Sequence, residues 1–527
     1  MTGGIMAAGA KKHDERNHGI FLIISVIVFL LPWFIMVPML YTIPKGLALK
    51  VYYYSLIATP KVPALWLSLI FGLIASISLF IYLIKVTKTN FEGAAFVSKL
   101  RGVEMINADN LEKLTHERNV HQLKFCGVSV PSKVKNLHYF VTGSTGSGKS
   151  VLIASFLDSI KNSGRIVCVD PNGSYLKNFY KNGDIILNPF DARGMGWSIF
   201  NEIKSRFDVE QFAVSMIPKS PDTQHESFNA MARVLVSETM LKIWEEMDDD
   251  TDANAELFYW LNTAPTEDLF KFLDGTPAQS LFGAAETYGS IKSVLTQYIK
   301  PHKYLSDGDF SIREFLENPK AGNIWITWRQ DQLAALKPLI SCWVDVICAS
   351  LLSMPDNDGS RPPIYLVLDE IDSLDKLNYI VEALTKGRKP GLIAFGGAQS
   401  LAQLDKTYGE KEALTLRNSF SNNAVCQIAS GDTYSAEQYS RIFGQHEVLR
   451  HKDNFALGTS GGRGSRQLEK ETEYIIMPSQ INSLEPLQFY FRFAQMNYVC
   501  KTTMPYVKRP VVTEGFILAN NQWTEKK

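Results

Sequence analysis

Two short strings in this 527-residue chain hold groups spaced for phosphate chemistry. Gly143-Ser144-Thr145-Gly146-Ser147-Gly148-Lys149-Ser150 fits the pattern G-x-x-x-x-G-K-[ST]. It follows the apolar run Leu137–Val141 and opens another that begins at Val151. In that setting the glycines let the backbone wrap tightly, so that its N–H groups converge on phosphate oxygens. The helix that follows adds its N-terminal dipole. Lys149 would place a positive charge at the β- and γ-phosphates, and the Ser150 hydroxyl would ligate Mg²⁺. Gly143 to Val151 is therefore the predicted nucleotide-binding set. The second string, Ile364-Tyr365-Leu366-Val367-Leu368-Asp369-Glu370, reads as a buried strand that delivers two acids. Asp369 would enter the Mg²⁺ shell, and Glu370 would polarise the attacking water. These acids could instead cap the next helix, but both motifs in one chain favour ATP and Mg²⁺ as cofactors.

Two further residues complete the predicted chemistry. Gln399, in Phe395-Gly396-Gly397-Ala398-Gln399-Ser400, ends a strand expected beside the Asp369 strand, where a neutral amide can sense the γ-phosphate or orient water. Arg388 lies on the basic turn Lys386-Gly387-Arg388-Lys389 and is the candidate for a cation supplied to a neighbouring subunit. From spacing alone, the same turn fits a solvated or DNA-facing patch equally well.

The elements needed to position these groups are legible in the apolar pattern. Strand, glycine-rich turn, helix and a second strand (Arg165–Val169, ending at Asp170) imply a parallel sheet with crossover helices. Strands resume at Gly322–Thr327, Ile364–Leu368, Leu392–Phe395 and Ala424–Ile428. Residues 205–300 show helical spacing, as in Phe228–Trp244, and few strand signals, so an all-α insertion is expected there. The acidic run Glu245–Glu256 reads as a solvated loop, and Gly458–Ser465 as a flexible loop carrying Arg463.

Gly19–Tyr41 and Val62–Ile84 each hold 23 residues without a charge. Each exceeds the ~20 apolar residues that cross a hydrocarbon core, and the first is too long for the ~7–15-residue apolar core of a secretory signal. Seven Lys/Arg flank the two spans on the outside, against Lys45, Lys50 and Lys61 in the connecting loop, which favours a cytoplasmic body. From Met1 to Arg101 there are ten Lys/Arg and three Asp/Glu. Over the whole chain the two classes balance at 54 each, so DNA binding cannot be argued from global charge and would need local patches or a lined channel. The six cysteines form no CxxC pair and lie beside no histidine at ligand spacing, which points to reduced buried thiols.

Taken with the hairpin and the phosphate loop, several longer strings resemble the type IV coupling proteins of bacterial conjugation, in particular the TrwB/TraD-like branch. They are Asp170-Pro171-Asn172-Gly173, Leu187-Asn188-Pro189-Phe190 with Trp197, Phe310–Arg313 with Ile326–Arg329, Leu339–Asp345, Leu384–Gly391 and Ala398–Ser400. The resemblance implies an α/β fold: a RecA-like P-loop NTPase domain with a mostly parallel central sheet, an inserted all-α domain and an N-terminal two-helix transmembrane hairpin. The implied boundaries are 1–90 for the membrane part (spans about 19–41 and 62–84), 91–204 with 301–527 for the nucleotide-binding domain, and 205–300 for the all-α domain. It also implies an inner-membrane homo-hexamer in which Arg388 reaches the neighbour's ATP. The implied task is to bring relaxase-bound single-stranded DNA to the proteins of a type IV secretion channel. The resemblance weakens in the helical insertion and over the last thirty residues. Two other readings remain open: an ATP-binding receptor that recruits protein substrates, and an FtsK-type DNA translocase. No LSGGQ-like segment supports a transporter of the ABC class.

Overall fold

The computed structural model describes residues 3–44, 46–87, 96–248, 251–454 and 465–520. Asp249 and Asp250 of the acidic run, and Gly458–Gly464 of the glycine-rich loop with its Arg463, lie outside the described residues. Contacts divide the chain into two units, Met1–Met105 with Gln445–Ile475, and Ile106–Gly444 with Ile476–Lys527.

In the first unit, helices Gly3–Leu40 and Pro63–Thr87 contain the apolar stretches Phe21–Leu40 and Pro63–Tyr82, each long and apolar enough to cross a membrane. They approach closely at Gly72. A Cβ at Gly72 would lie 2.2 Å from the Phe29 carbonyl oxygen, so only glycine lets the second helix approach there. Polar groups tie the hairpin together: Trp33 Nε1–H donates to Thr59 Oγ1 in the connection at 2.9 Å, and Ser76 Oγ–H reaches across the pair to the Ser25 carbonyl at 2.8 Å. The connecting segment holds the helix Ala48–Ala58, which its short length hid from the sequence pattern. The unit also contains a three-stranded antiparallel sheet of Ser98–Gly102, Gln445–Asn454 and Ser465–Tyr474. Its rungs are charged, as in Arg101–Glu447 at 2.7 Å and Lys470–Glu447 at 2.8 Å, and so gave no alternating apolar signal.

The second unit carries nearly all of a ten-stranded sheet. Its strands are β1 (Glu104–Asn107), β2 (Tyr139–Thr142), β3 (Arg165–Pro171), β4 (Ile185–Leu187), β5 (Ile324–Trp328), β6 (Ile364–Leu368), β7 (Leu392–Ala398), β8 (Asn422–Val425), β9 (Gln488–Arg492) and β10 (Tyr498–Thr503). They run in the order β1-β10-β9-β8-β2-β7-β6-β3-β5-β4. From β8 to β4 every pairing is parallel, while β9 pairs antiparallel with both β8 and β10. Strands β2, β5, β6 and β7 are buried along their whole length, which is why they read as continuous apolar runs. The described residues of 205–300 form helices and no strand, led by Thr223–Glu246. A third helix, Leu333–Ser353, also has the length and composition of a membrane span. It is a core helix: 78% of its most apolar stretch is buried in this unit, and its Asp345 accepts the Tyr379 N–H at 2.8 Å.

Candidate functional site at the carboxyl edge of the sheet

Three adjacent parallel strands end within two residues of one another. Thr142 of β2 pairs with Ala398 of β7, and Gly396 of β7 with Leu368 of β6. The residues that follow these strands, Gly143, Gln399 and Asp369, therefore share one edge, the position where open α/β sheets bind ligands.

The phosphate loop is shaped by its glycines and pinned from outside. Gly146 and Gly148 adopt φ of +80° and +115°, values that side chains with a Cβ rarely reach. Ser144 N–H and Oγ–H both donate to the Gln427 carbonyl, at 2.8 and 2.9 Å. Ser147 Oγ–H donates to the Ser144 carbonyl at 2.6 Å, and the Ser147 carbonyl accepts the Leu487 N–H at 2.8 Å. Thr145 and Ser150 are exposed at the rim, and Val151 is half-buried in the first turn of the helix Lys149–Ile160.

Lys149 is 8% exposed and lies 3.7 Å from Asp369 Oδ1 and 3.9 Å from Glu370 Oε1. Neither Lys149 Nζ nor Asp369 Oδ1 makes a hydrogen bond, although both are buried. A buried ammonium and a buried carboxylate oxygen facing one another across a gap fit a site that phosphate and Mg²⁺ would complete. Asp369 and Ser150 are the hard oxygen donors suited to Mg²⁺, a cation usually bound through few protein ligands plus substrate phosphates. Burial raises the Asp369 pKa above the ordinary carboxylate range, and the Lys149 charge partly offsets this. Glu370 Oε1 accepts the Gln399 Nε2–H at 2.8 Å, so the predicted water-activating acid and the predicted sensor amide touch.

Two groups here were not anticipated. Tyr175, 3% exposed, donates its hydroxyl to Asp369 Oδ2 at 2.8 Å. Asp372 Oδ2 accepts the Gln399 N–H at 2.8 Å, fixing the turn after β7. Tyr175 is 194 positions from Asp369 in the chain, so no local signal could have revealed it. Asp372, two residues beyond Glu370 on the same turn, could have been suspected. Arg388 is not brought to this pocket. It lies before β7 begins, at the opposite edge of the sheet, in the wall of a cavity of about 790 Å³ with Asn136, Glu382 and Lys389.

A glycine-rich loop with a buried lysine, opposed by two acids at the carboxyl edge of a mostly parallel sheet, defines a P-loop nucleotide-binding protein. Residues 122–505 match the family model for the type IV secretion-system coupling protein DNA-binding domain. The chain belongs to this coupling-protein family. Coupling protein TraD of Escherichia coli (strain K12) is 30% identical over 404 residues, 73% of this chain and 54% of TraD. The chain thus spans about half of that relative's length. Coupling protein VirD4 of Bartonella quintana (strain Toulouse) is 32% identical over 137 residues, 26% of this chain and 21% of VirD4. Among solved structures, plasmid coupling protein TrwB in complex with ADP and Mg²⁺ superposes with a TM-score of 0.75 at 37% identity, covering 82% of this chain and 100% of that one. TrwB with the non-hydrolysable analogue ADPNP gives 0.74 at 37% identity over the same shares.

Proposed function

We propose that this chain is an ATPase, anchored in the bacterial inner membrane by its two N-terminal helices, with its body in the cytoplasm. It carries single-stranded DNA, delivered by a relaxase, to a type IV secretion channel. Residues 1–90 form the anchor, 91–204 with 301–527 the RecA-like motor, and 205–300 an all-α domain of a homo-hexamer. The observation that carries this reading is the buried ion pair of Lys149 Nζ and Asp369 Oδ1, 3.7 Å apart at the phosphate loop with neither atom making a hydrogen bond.

The roles follow from position. The N–H groups of Gly143–Ser150 and the Lys149 ammonium hold the phosphates, and Ser150 and Asp369 hold Mg²⁺, which supplies charge neutralisation there. Glu370 takes the proton of the attacking water, and Gln399 holds the acid at 2.8 Å in the required direction. Arg388, an edge away from its own site, serves the neighbour's ATP by stabilising charge that develops on the transferred phosphoryl group. Grip on DNA is by charge along the backbone, largely without reading sequence. The test is ATP hydrolysis by the full chain in lipid vesicles, with and without single-stranded DNA. Stimulation that Lys149→Ala abolishes supports the motor. DNA transfer that survives without hydrolysis would favour the receptor reading.

A further inference from the structure

The turn after β3 is held from two sides. On the inner side, the buried Asp170 Oδ2 accepts the N–H groups of Tyr175 and Leu176 at 2.9 and 2.7 Å, which fixes where the Tyr175 ring starts. That ring sends its hydroxyl to Asp369 Oδ2 at 2.8 Å and also lies against the Ser150 side chain. Only one carboxylate oxygen of Asp369 is thereby held. The other, Oδ1, keeps no hydrogen bond and faces Lys149. The hydrogen bond to one oxygen favours this orientation of the carboxylate, in which the free oxygen faces Lys149.

On the outer side, the same turn lies under an extended strap of residues 510–519. Val512 N–H donates to the Lys177 carbonyl at 2.8 Å, and Ala519 N–H to the Phe190 carbonyl at 2.9 Å. Between these anchors Gly515 presses on Gly173: a Cβ at Gly173 would lie 2.0 Å from the Gly515 carbonyl oxygen, and Gly173 has φ of +61°. Arg193 Nη1 clips the strap by donating to Thr513 Oγ1 at 2.9 Å and to the Glu514 carbonyl at 3.0 Å. The two glycines leave no room for the turn to lift while the strap is seated.

We propose that Tyr175 is a positioning residue for the metal-binding carboxylate Asp369, and that the strap 510–519 is the clamp that keeps Tyr175 aimed. This rests on the nucleotide-site reading above. Metal ligands are commonly oriented by outer hydrogen bonds whose loss weakens metal affinity about 10- to 100-fold. The strap therefore couples a surface segment, far from Lys149 in sequence, to how tightly the site takes Mg²⁺.

The test is binding of a fluorescent ATP analogue by the full chain in detergent micelles, titrated with Mg²⁺. Tyr175→Phe keeps the ring and removes the hydroxyl. Gly515→Val puts a Cβ 2.9 Å from the Gly173 carbonyl oxygen and 3.0 Å from that of Asn172, and so displaces the strap. Both are expected to bind the analogue without Mg²⁺ within about twofold of the parent, and to need about 10-fold more Mg²⁺ for the metal-dependent tightening. Arg193→Ala, which only unclips the strap, shifts in the same direction and serves if Gly515→Val does not fold. A Tyr175→Phe titration that superposes on the parent overturns the positioning role. A shift in Tyr175→Phe with none in either strap variant overturns the clamp. Lys149→Ala binding the analogue as tightly as the parent would instead overturn the nucleotide site itself, whatever the Mg²⁺ curves show.

Discussion

Glu370→Gln should separate binding from chemistry at this site. The substitution is isosteric, and an amide oxygen at position 370 can still accept the Gln399 Nε2–H now made at 2.8 Å, so the turn should keep its geometry. Two things change. The base is lost, which for a positioned general base slows the chemical step by about 10²–10⁴-fold, or roughly 3–5 kcal/mol. A negative charge is also removed next to the phosphates, and a unit charge at about 4 Å is worth up to about 4 kcal/mol at an effective dielectric near 20. The Glu370 carboxylate is 29% exposed, so water screens much of that. Loss of the same charge relieves Asp369, whose pKa Glu370 now raises. Nucleotide affinity should therefore equal or exceed the parent's, while turnover falls at least 100-fold. Steady-state ATP hydrolysis and equilibrium binding of a fluorescent ATP analogue, on the same preparation, check both. Turnover within threefold of the parent would refute the assignment of Glu370 as the base, and a large loss of affinity would show that it holds the nucleotide instead.

Gln399→Ala removes one hydrogen bond to a partly exposed carboxylate, worth about 1.5 kcal/mol, and should lower kcat about 10-fold with little change in nucleotide affinity. Arg388→Ala should bind nucleotide normally but hydrolyse it poorly, and mixing it with Lys149→Ala should restore activity, because each subunit supplies what its neighbour lacks; a mixture no more active than its parts would refute action between subunits. His302 is buried, neither ring nitrogen has a hydrogen-bond partner among the described residues, and burial depresses its pKa to about 4. Because the folded value lies below the unfolded ~6.5, its contribution is present above pH 6.5 and is lost as pH falls through about 4, about 3 kcal/mol in all. His302→Leu should flatten that part of a stability curve measured by urea unfolding from pH 4 to 7.

What could be read from the sequence was the chemistry carried on consecutive residues. The phosphate loop and the Asp369-Glu370 pair each sit at the end of a fully buried strand, where an apolar run announces them. Contacts made by the fold were hidden. Tyr175 is an ordinary aromatic until β3 and β6 become neighbours in the sheet. In the three-stranded sheet of the first unit, Ser98–Gly102 pairs with residues more than 300 positions away, with a charged rung between Arg101 and Glu447. The helix Ala48–Ala58 lies between two stronger apolar signals that dominate any window placed over it. Leu333–Ser353 is the converse case. Its composition alone would admit a third span, and only its burial in the body assigns it to the core.

Strand β7 ties the two ends of the proposed chemistry together. It starts four residues after Arg388 and ends one before Gln399, and every residue in it is buried. Its centre allows no slack: a Cβ at Gly397 would lie 2.2 Å from the Asp369 carbonyl oxygen, and one at Gly396 would meet the Phe140 and Phe420 rings at about 3 Å. At its start, the Ala394 N–H donates to His138 Nδ1 at 3.0 Å, which leaves the ring proton on Nε2 to donate to the Leu384 carbonyl at 2.7 Å. Burial holds the His138 pKa down to about 4, so the bridge stays neutral near pH 7. The ring thus fastens the helix turn that leads to Arg388 onto β7 and onto the root of the phosphate-loop strand. A strand packed this tightly moves as a rigid piece, since sliding it would break a buried bridge and drive two glycines into their neighbours. Any shift of β7 that accompanies a change at Gln399 must therefore move the turn bearing Arg388. In a ring of subunits, that is the geometry needed for one site's occupancy to be felt at the next.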